Sequence, residues 1–158
     1  MAFPIPETLF DRLGPRLLAI PARAWTAVSA AALAAGTAGI AFHHPWIGGA
    51  LLLAGFLADG AGQAAGRATD KAAAALLPLG LMLAPFGFAL AEPGRALAAM
   101  FLMFSLGVLL WASERRVRLV HWLAAAGLLI ACILPDRFSL LAYLVGIACF
   151  VKAGQVVA

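Results

Sequence analysis

Six long apolar segments, separated by short polar connections, dominate this sequence and limit what it can fold into. We place them at about 24–41, 46–66, 72–91, 95–112, 117–134 and 137–156. Each is near the roughly 20 residues that a helix needs to cross the ~30 Å hydrocarbon core of a bilayer. Helices satisfy their own backbone hydrogen bonds in lipid, and runs this long do not suit a small closed barrel. The predicted fold class is all-α: an integral membrane bundle of six transmembrane helices in one domain, residues 1–158.

The composition excludes several classes of protein. Hydrophobic residues make up 65% of the 158 residues and charged residues only 11%, whereas soluble domains carry about 25% charge. This rules out a cytosolic enzyme, a disordered chain and an ordinary DNA-binding domain, so we expect no nucleic-acid partner. The net charge of +4 comes from basic residues between the apolar segments. At these positions, membrane topology and anionic lipid headgroups explain the charge better than nucleic-acid binding does.

The first 22 residues differ from the six segments. Leu9, Phe10, Leu13 and Leu17 recur at helical spacing, while charged residues occupy the other faces. The same charges interrupt any apolar core, which argues against a secretory signal. We predict that residues 1–22 form an interfacial segment with an amphipathic helix that lies on the membrane rather than spanning it.

The basic residues are distributed unevenly over the connections. Nine of the eleven Lys and Arg residues fall on one side of the predicted membrane, and only Arg95 and Arg137 fall on the other. Cytoplasmic loops carry an excess of Lys and Arg. We therefore place both termini, the 67–71 loop and the 115–118 loop in the cytoplasm, and we expect a bacterial inner-membrane protein.

Glycines recur along the predicted helices. Gly36, Gly39 and Gly55 allow close approach of neighbouring backbones, and Gly62 and Gly66 have the small-xxx-small spacing of membrane helix contacts. This pattern indicates either tight packing within one bundle or a seam between two copies of the chain.

Asp59 is the acidic residue that fits a lipid environment least well, because it follows a long apolar run. A carboxylate well inside a bilayer costs at least ~2.5 kcal/mol, so it usually faces a cavity or marks a site. The alternative is that Asp59 lies at the cytoplasmic end of the second helix and is hydrated.

Arg67, Lys71, Arg115, Arg116 and Arg118 form the strongest basic group on the predicted cytoplasmic side. Their charge either sets the orientation of the chain or forms a pocket for a phosphate or an anionic lipid headgroup.

Histidines and cysteines predict no metal site. His43 and His44 are adjacent, which rarely aims two rings at one ion, and Trp46 favours an interfacial loop there. Cys132 and Cys149 lie in apolar runs without metal-ligand spacing, as small buried hydrophobic residues do.

The segment 51–67, LLLAGFLADGAGQAAGR, resembles the signature of the CDP-alcohol phosphatidyltransferase family. That signature runs Asp-x-x-Asp-Gly-x-x-Ala-Arg, then eight residues, then Gly-x-x-x-Asp-x-x-x-Asp. Aligned without gaps, Asp59 matches the first aspartate, Gly60 follows it as in many members, and Arg67 matches the arginine. Leu53-Ala54-Gly55 is similar to the Leu-Ser-Gly-like stretch that usually precedes the motif.

The resemblance implies six transmembrane helices after an amphipathic helix, with the active site at the cytoplasmic ends of helices two and three. It implies transfer of a phosphatidyl or similar phosphoalcohol group from a CDP-alcohol to a hydroxyl, with release of CMP. The family's aspartates hold divalent metal ions, and the last of them acts as general base.

Most of these aspartates are missing here. Gly62 stands where the second aspartate belongs, and Gly80 and Ala84 replace the last two. A second registration aligns Asp70-Lys71 with the Asp-Lys that often ends the motif, but it deletes most of the spacer. On one continuous helix Asp59 and Asp70 would lie ~16 Å apart, too far for one ion to bridge.

We therefore expect a degenerate relative, a pseudoenzyme of phospholipid metabolism that acts as a lipid-binding or regulatory partner, and we assign no catalytic residue. The predicted cofactor-binding residues are Asp59, Gly60 and Arg67. Asp59 is at most a weak Mg²⁺ ligand, and no firmly bound cofactor is expected. Expected partners are anionic membrane lipids and a second subunit, either a copy or an active relative. The alternatives are an active metal-dependent transferase and a small accessory subunit of a larger membrane complex.

Overall fold

The computed structural model describes residues 21–64, 76–112 and 118–157, and these residues form helices and no strand. The helices are α1 (Ala22–Ala41), α2 (Pro45–Ala64), α3 (Leu76–Ala91), α4 (Ala96–Ala112), α5 (Arg118–Ile133) and α6 (Phe138–Val157). Short 3₁₀ helices at Pro93–Arg95 and Pro135–Arg137 lead into α4 and α6. The predicted interfacial helix lies outside the described residues, apart from the last two residues of its segment.

The all-α prediction is confirmed, and the helices begin and end close to the predicted segment bounds. Three helical stretches are long and apolar enough to cross a membrane: Arg23–Ala41, Pro45–Gly62 and Pro135–Gln155. Shorter apolar helices cover Leu79–Ala91, Pro93–Leu109 and Ala124–Ile133. Within the described ranges, the structure is therefore that of a helical membrane protein.

The turn between α1 and α2 closes with a Schellman motif. The N–H of His43 donates to the Ile40 carbonyl at 3.0 Å, and the N–H of His44 donates to the Gly39 carbonyl at 2.9 Å. His43 takes the left-handed conformation with φ 62°, a position that usually holds glycine. Pro45 then begins α2, where its missing N–H costs no helical hydrogen bond.

All three tight turns lie at one end of the bundle, which we name the Arg95 end. Arg95 Nη2 lies 3.7 Å from Asp136 Oδ1, which brings the turn before α4 beside the turn before α6. Phe88 and Phe138 stack below these turns with ring centroids 4.2 Å apart. The opposite end, where α1 begins and α2 ends, is named the Asp59 end.

The six described helices pack as a closed ring in the order α2, α1, α3, α4, α6, α5, and α3 also contacts α5 across the middle. The enclosed core is mainly apolar, and its buried polar residues among those described are Ser29, Asp59 and Ser105. Its largest fully buried side chains include Ile40, Leu52, Leu81, Phe88, Leu106, Leu109, Leu128 and Phe138. Hydrophobic residues cover the outside of the ring as well, as lipid contact requires.

Glycines bring α1 and α2 into backbone contact. A Cβ placed on Gly48 would lie 2.7 Å from the Gly36 carbonyl oxygen and 2.6 Å from Ile40 Cγ1. A Cβ on Gly39 would lie 3.1 Å from the Gly48 Cα. These distances leave no room for a side chain, so Gly36, Gly39 and Gly48 fix the spacing of the two helices.

Candidate functional site

Asp59 lies on α2 near its C-terminal end, and only 1% of its surface is exposed. Leu52, Gly55 and Gly62 share its helix face and are also buried. Asp59 takes part in a polar interaction, so it is not an isolated buried charge. The carboxylate therefore lies inside the bundle and not on its lipid-facing surface.

Ser29 of α1 bonds to α2 one turn before Asp59. Its hydroxyl donates to the Gly55 carbonyl oxygen at 3.0 Å, and both groups are buried. A Cβ on Gly55 would lie 2.9 Å from Leu33 Cγ, so the backbone of α2 rests against α1 here. Because the two helices are antiparallel, Asp59 lies at the level of Trp25, one turn beyond Ser29.

Gly60 lies beside Asp59 in the sequence but on a different face of α2. It is exposed, and a Cβ placed on it would meet no atom within 4 Å. Successive helical residues point about 100° apart, which explains the difference. At this end of α2, Asp59 therefore faces the interior of the bundle and Gly60 faces its exterior, where there is open space.

Most of the predicted basic site lies beyond the described ranges. Arg67, Lys71, Arg115 and Arg116 lie outside the described residues, and of Arg118 only the backbone position, at the start of α5, is described. The grouping of these side chains with Asp59 stays a prediction. Two basic side chains at the same end are described. Arg23 is exposed at the start of α1, and Lys152 Nζ lies 3.2 Å from Gln155 Oε1 on α6.

The described carboxylates do not converge on one point. Glu92 and Asp136 belong to turns at the Arg95 end, whereas Asp59 lies fourteen residues along α2 from Pro45. That separation corresponds to roughly 21 Å of helix. Among the described residues no group of three or more His, Cys, Asp or Glu side chains forms a metal site. The described part of the site thus offers one carboxylate to a ligand.

At the Arg95 end, Arg95 forms ion pairs with both Glu92 and Asp136. Arg95 Nη2 lies 2.6 Å from Glu92 Oε2, and its contact with Asp136 joins two turns. The Arg95 side chain is 17% exposed, which makes this pair less screened than a fully exposed one. Glu92 and Arg95 are three residues apart in one turn, and this i, i+3 spacing is visible in the sequence. The contact with Asp136 cannot be read from the sequence in this way, because Arg95 and Asp136 are far apart along the chain.

Ser29 is the polar residue near the site that sequence reasoning missed. A lone hydroxyl in the apolar run of α1 is a weak signal, because serines in membrane helices often bond to their own backbone. Ser105 does so, donating to the Phe101 carbonyl at 2.6 Å. Only the structure shows that Ser29 bonds to a different helix instead.

No protein-family model, no curated protein and no solved structure matches this chain. The arrangement of its own residues is therefore the basis for its function.

Proposed function

We propose that this chain is a catalytically impaired protein of the CDP-alcohol phosphatidyltransferase type, acting as a lipid-binding or regulatory partner in a bacterial inner membrane. The observation that carries the proposal is the burial of Asp59 on α2, beside the seam with α1. Charged residues within membrane segments are expensive and usually mark a substrate or ion site. The same aspartate is the one that matches the family signature.

Membrane topology supports the position of this site. We propose that all six helices cross the bilayer, with α3, α4 and α5 completed by the turns beside them, and that residues 1–22 lie along the interface. In this topology nine of the eleven Lys and Arg residues belong to the segments assigned to the Asp59 end, and only Arg95 and Arg137 belong to the other end. The positive-inside rule then places the Asp59 end and both termini in the cytoplasm.

The chemistry of one carboxylate limits the reaction. Divalent ions that bridge a diphosphate need several hard oxygen ligands, and Mg²⁺ bound by a single carboxylate keeps most of its water. Two-metal transfer also needs both ions held close together. Asp59 can therefore support weak Mg²⁺-assisted binding of a CDP-alcohol headgroup, with Gly60 and Arg67 as the other two residues predicted from the sequence, but not efficient phosphoalcohol transfer.

The proposal is tested by an assay for CMP release. The full chain, purified in native lipid, is given CDP-diacylglycerol, Mg²⁺ and a panel of alcohols, and an Asp59→Asn variant is run beside it. We expect no metal-dependent CMP release above the protein-free background from either protein. Metal-dependent turnover that Asp59→Asn abolishes would show an active transferase instead.

The same preparation tests the accessory-subunit alternative. We expect the chain to purify with lipid, alone, as a dimer of itself or with a transferase relative. Recovery in a stoichiometric complex with unrelated membrane proteins would contradict the proposed role.

A further inference from the structure

A groove of about 430 Å³ runs along the outside of the bundle between α3 and α4. Its walls are apolar and it is open to the surrounding lipid on one side. The residues that line it are Met82, Met103, Phe104, Gly107 and Val108. Most of the lipid-facing surface carries protruding leucines and isoleucines, so a concave site there needs a specific cause.

Gly107 is that cause. A Cβ placed on it would meet only Met82 Cε, at the ordinary van der Waals distance of 3.5 Å. The glycine is therefore not required by close helix packing, in contrast to Gly48. Its missing side chain opens the groove, and the flexible methionine beside it can adapt to the shape of an apolar occupant.

We propose that this groove holds one acyl chain of an anionic phospholipid. A volume of about 430 Å³ equals roughly fourteen groups of ~30 Å³, the liquid volume of a water molecule. A methylene group has a similar size, so the groove matches most of one acyl chain.

The position of the groove along the bundle selects the headgroup. Gly107 lies five residues before α4 ends at Ala112, which is ~7.5 Å of helix. The groove thus opens in the half of the bundle nearer the Asp59 end, where Arg23 and Lys152 lie and where the proposed topology places most of the Lys and Arg residues. A lipid seated there places its headgroup at the basic end, which favours an anionic headgroup. The inference rests on the proposed lipid-binding role and names its ligand and site.

Photo-crosslinking tests this directly. The full chain in lipid nanodiscs is exposed to phosphatidylglycerol carrying a diazirine on one acyl chain, and the labelled peptides are mapped by mass spectrometry. We expect labelling to concentrate on the α3 and α4 peptides that contain Met82 and Met103. Gly107→Leu places a branched side chain in the groove beside Met82 and should reduce this labelling roughly tenfold, equivalent to about 1.4 kcal/mol.

The matched control is Gly154→Leu on α6. Gly154 is exposed and a Cβ placed on it meets no atom within 4 Å, so the same substitution adds bulk outside the groove. We expect this variant to label as the unmodified chain does. Normal thermal unfolding of both variants shows that the difference lies in the groove.

Four results would overturn the inference. They are labelling spread evenly over all helices, labelling unchanged by Gly107→Leu, equal labelling by the phosphatidylcholine analogue, and no labelling of the α3 and α4 peptides, as expected if a helix of a second copy covered the groove. None of these readouts uses a CDP-alcohol. Metal-dependent CMP release with intact groove labelling would therefore contradict the proposed function alone.

Discussion

The two halves of the α1–α2 interface are built on different principles. In the half nearer the Arg95 end, Gly36, Gly39 and Gly48 bring backbone against backbone with no polar side chain between them. In the half nearer the Asp59 end, the same two helices bury the Ser29 hydroxyl and the Asp59 carboxylate. We name these the glycine half and the polar half.

The comparison separates the residues that close helix packing requires from the buried polar groups that are added to it. The glycine half needs its glycines, because any side chain would meet backbone atoms. The polar half contains one such glycine, Gly55, but it also buries a carboxylate, which costs ~2.5 kcal/mol or more at the centre of a bilayer. Asp59 takes part in a polar interaction within the protein, and the proposed function gives the same carboxylate a ligand.

The largest expected effect is a loss of stability in the glycine half. Gly48→Ala places a methyl group 2.7 Å from the Gly36 carbonyl oxygen and 2.9 Å from the Ile40 nitrogen, and neither backbone atom can move independently. Overpacking of this kind should lower the free energy of unfolding by about 3 kcal/mol. Reversible unfolding in mixed detergent micelles measures it.

The control for this prediction is Gly60→Ala on the same helix. Its Cβ enters open space, and alanine is the better helix former by about 1 kcal/mol. A variant Gly48→Ala as stable as Gly60→Ala would show that α1 and α2 are not held in backbone contact.

A gain of stability is expected where the glycine half ends. His43 holds the left-handed position of the Schellman turn, where a side chain costs about 1–2 kcal/mol. His43→Gly removes that strain and should raise the free energy of unfolding by about 1 kcal/mol. His44→Gly, one residue further, is the comparison, since only His43 has a positive φ among the described non-glycine residues. An equal gain from both substitutions would contradict the turn geometry.

The smallest effect is expected in the polar half. Ser29→Ala removes the hydrogen bond to the Gly55 carbonyl, and interhelical bonds of this kind in membranes average about 0.6 kcal/mol. Ser105→Ala is the matched control because Ser105 bonds to its own helix, and it should change stability less. The same micelle assay compares the two. A loss from Ser29→Ala no greater than that from Ser105→Ala would show that the hydroxyl does not join α1 to α2.

The sequence predicts the helices well and their arrangement poorly. Apolar runs end at charged residues, prolines or glycines such as Pro45 and Pro135, so the helix bounds follow from composition alone. The ring order does not, because apolar residues cover every face of these helices and hydropathy does not mark the packed face. The sequence indicates Gly36, Gly39 and Gly55 as points of close approach, and the structure shows them there. The sequence gives no sign that Gly48 is the partner of Gly36 and Gly39.

Only part of the candidate site can be predicted from the sequence. An aspartate in an apolar run stands out in the sequence, because a charge is unfavourable in lipid. In the structure, Asp59 is buried. The hydrogen bond between Ser29 and the Gly55 carbonyl depends on the register of two helices, which no local pattern encodes. The predicted contributions of Arg67, Lys71, Arg115 and Arg116 concern residues outside the described ranges and stay predictions.

The most direct test of the central claim is equilibrium binding of CDP-diacylglycerol to the full chain in nanodiscs, with and without Mg²⁺, beside Asp59→Asn. We predict weak binding that Mg²⁺ strengthens and Asp59→Asn abolishes, with an unchanged unfolding temperature and with the CDP-alcohol recovered intact. Equal binding by both proteins, or no dependence on Mg²⁺ in either, would contradict the account of Asp59 as the retained residue of a nucleotide-lipid site.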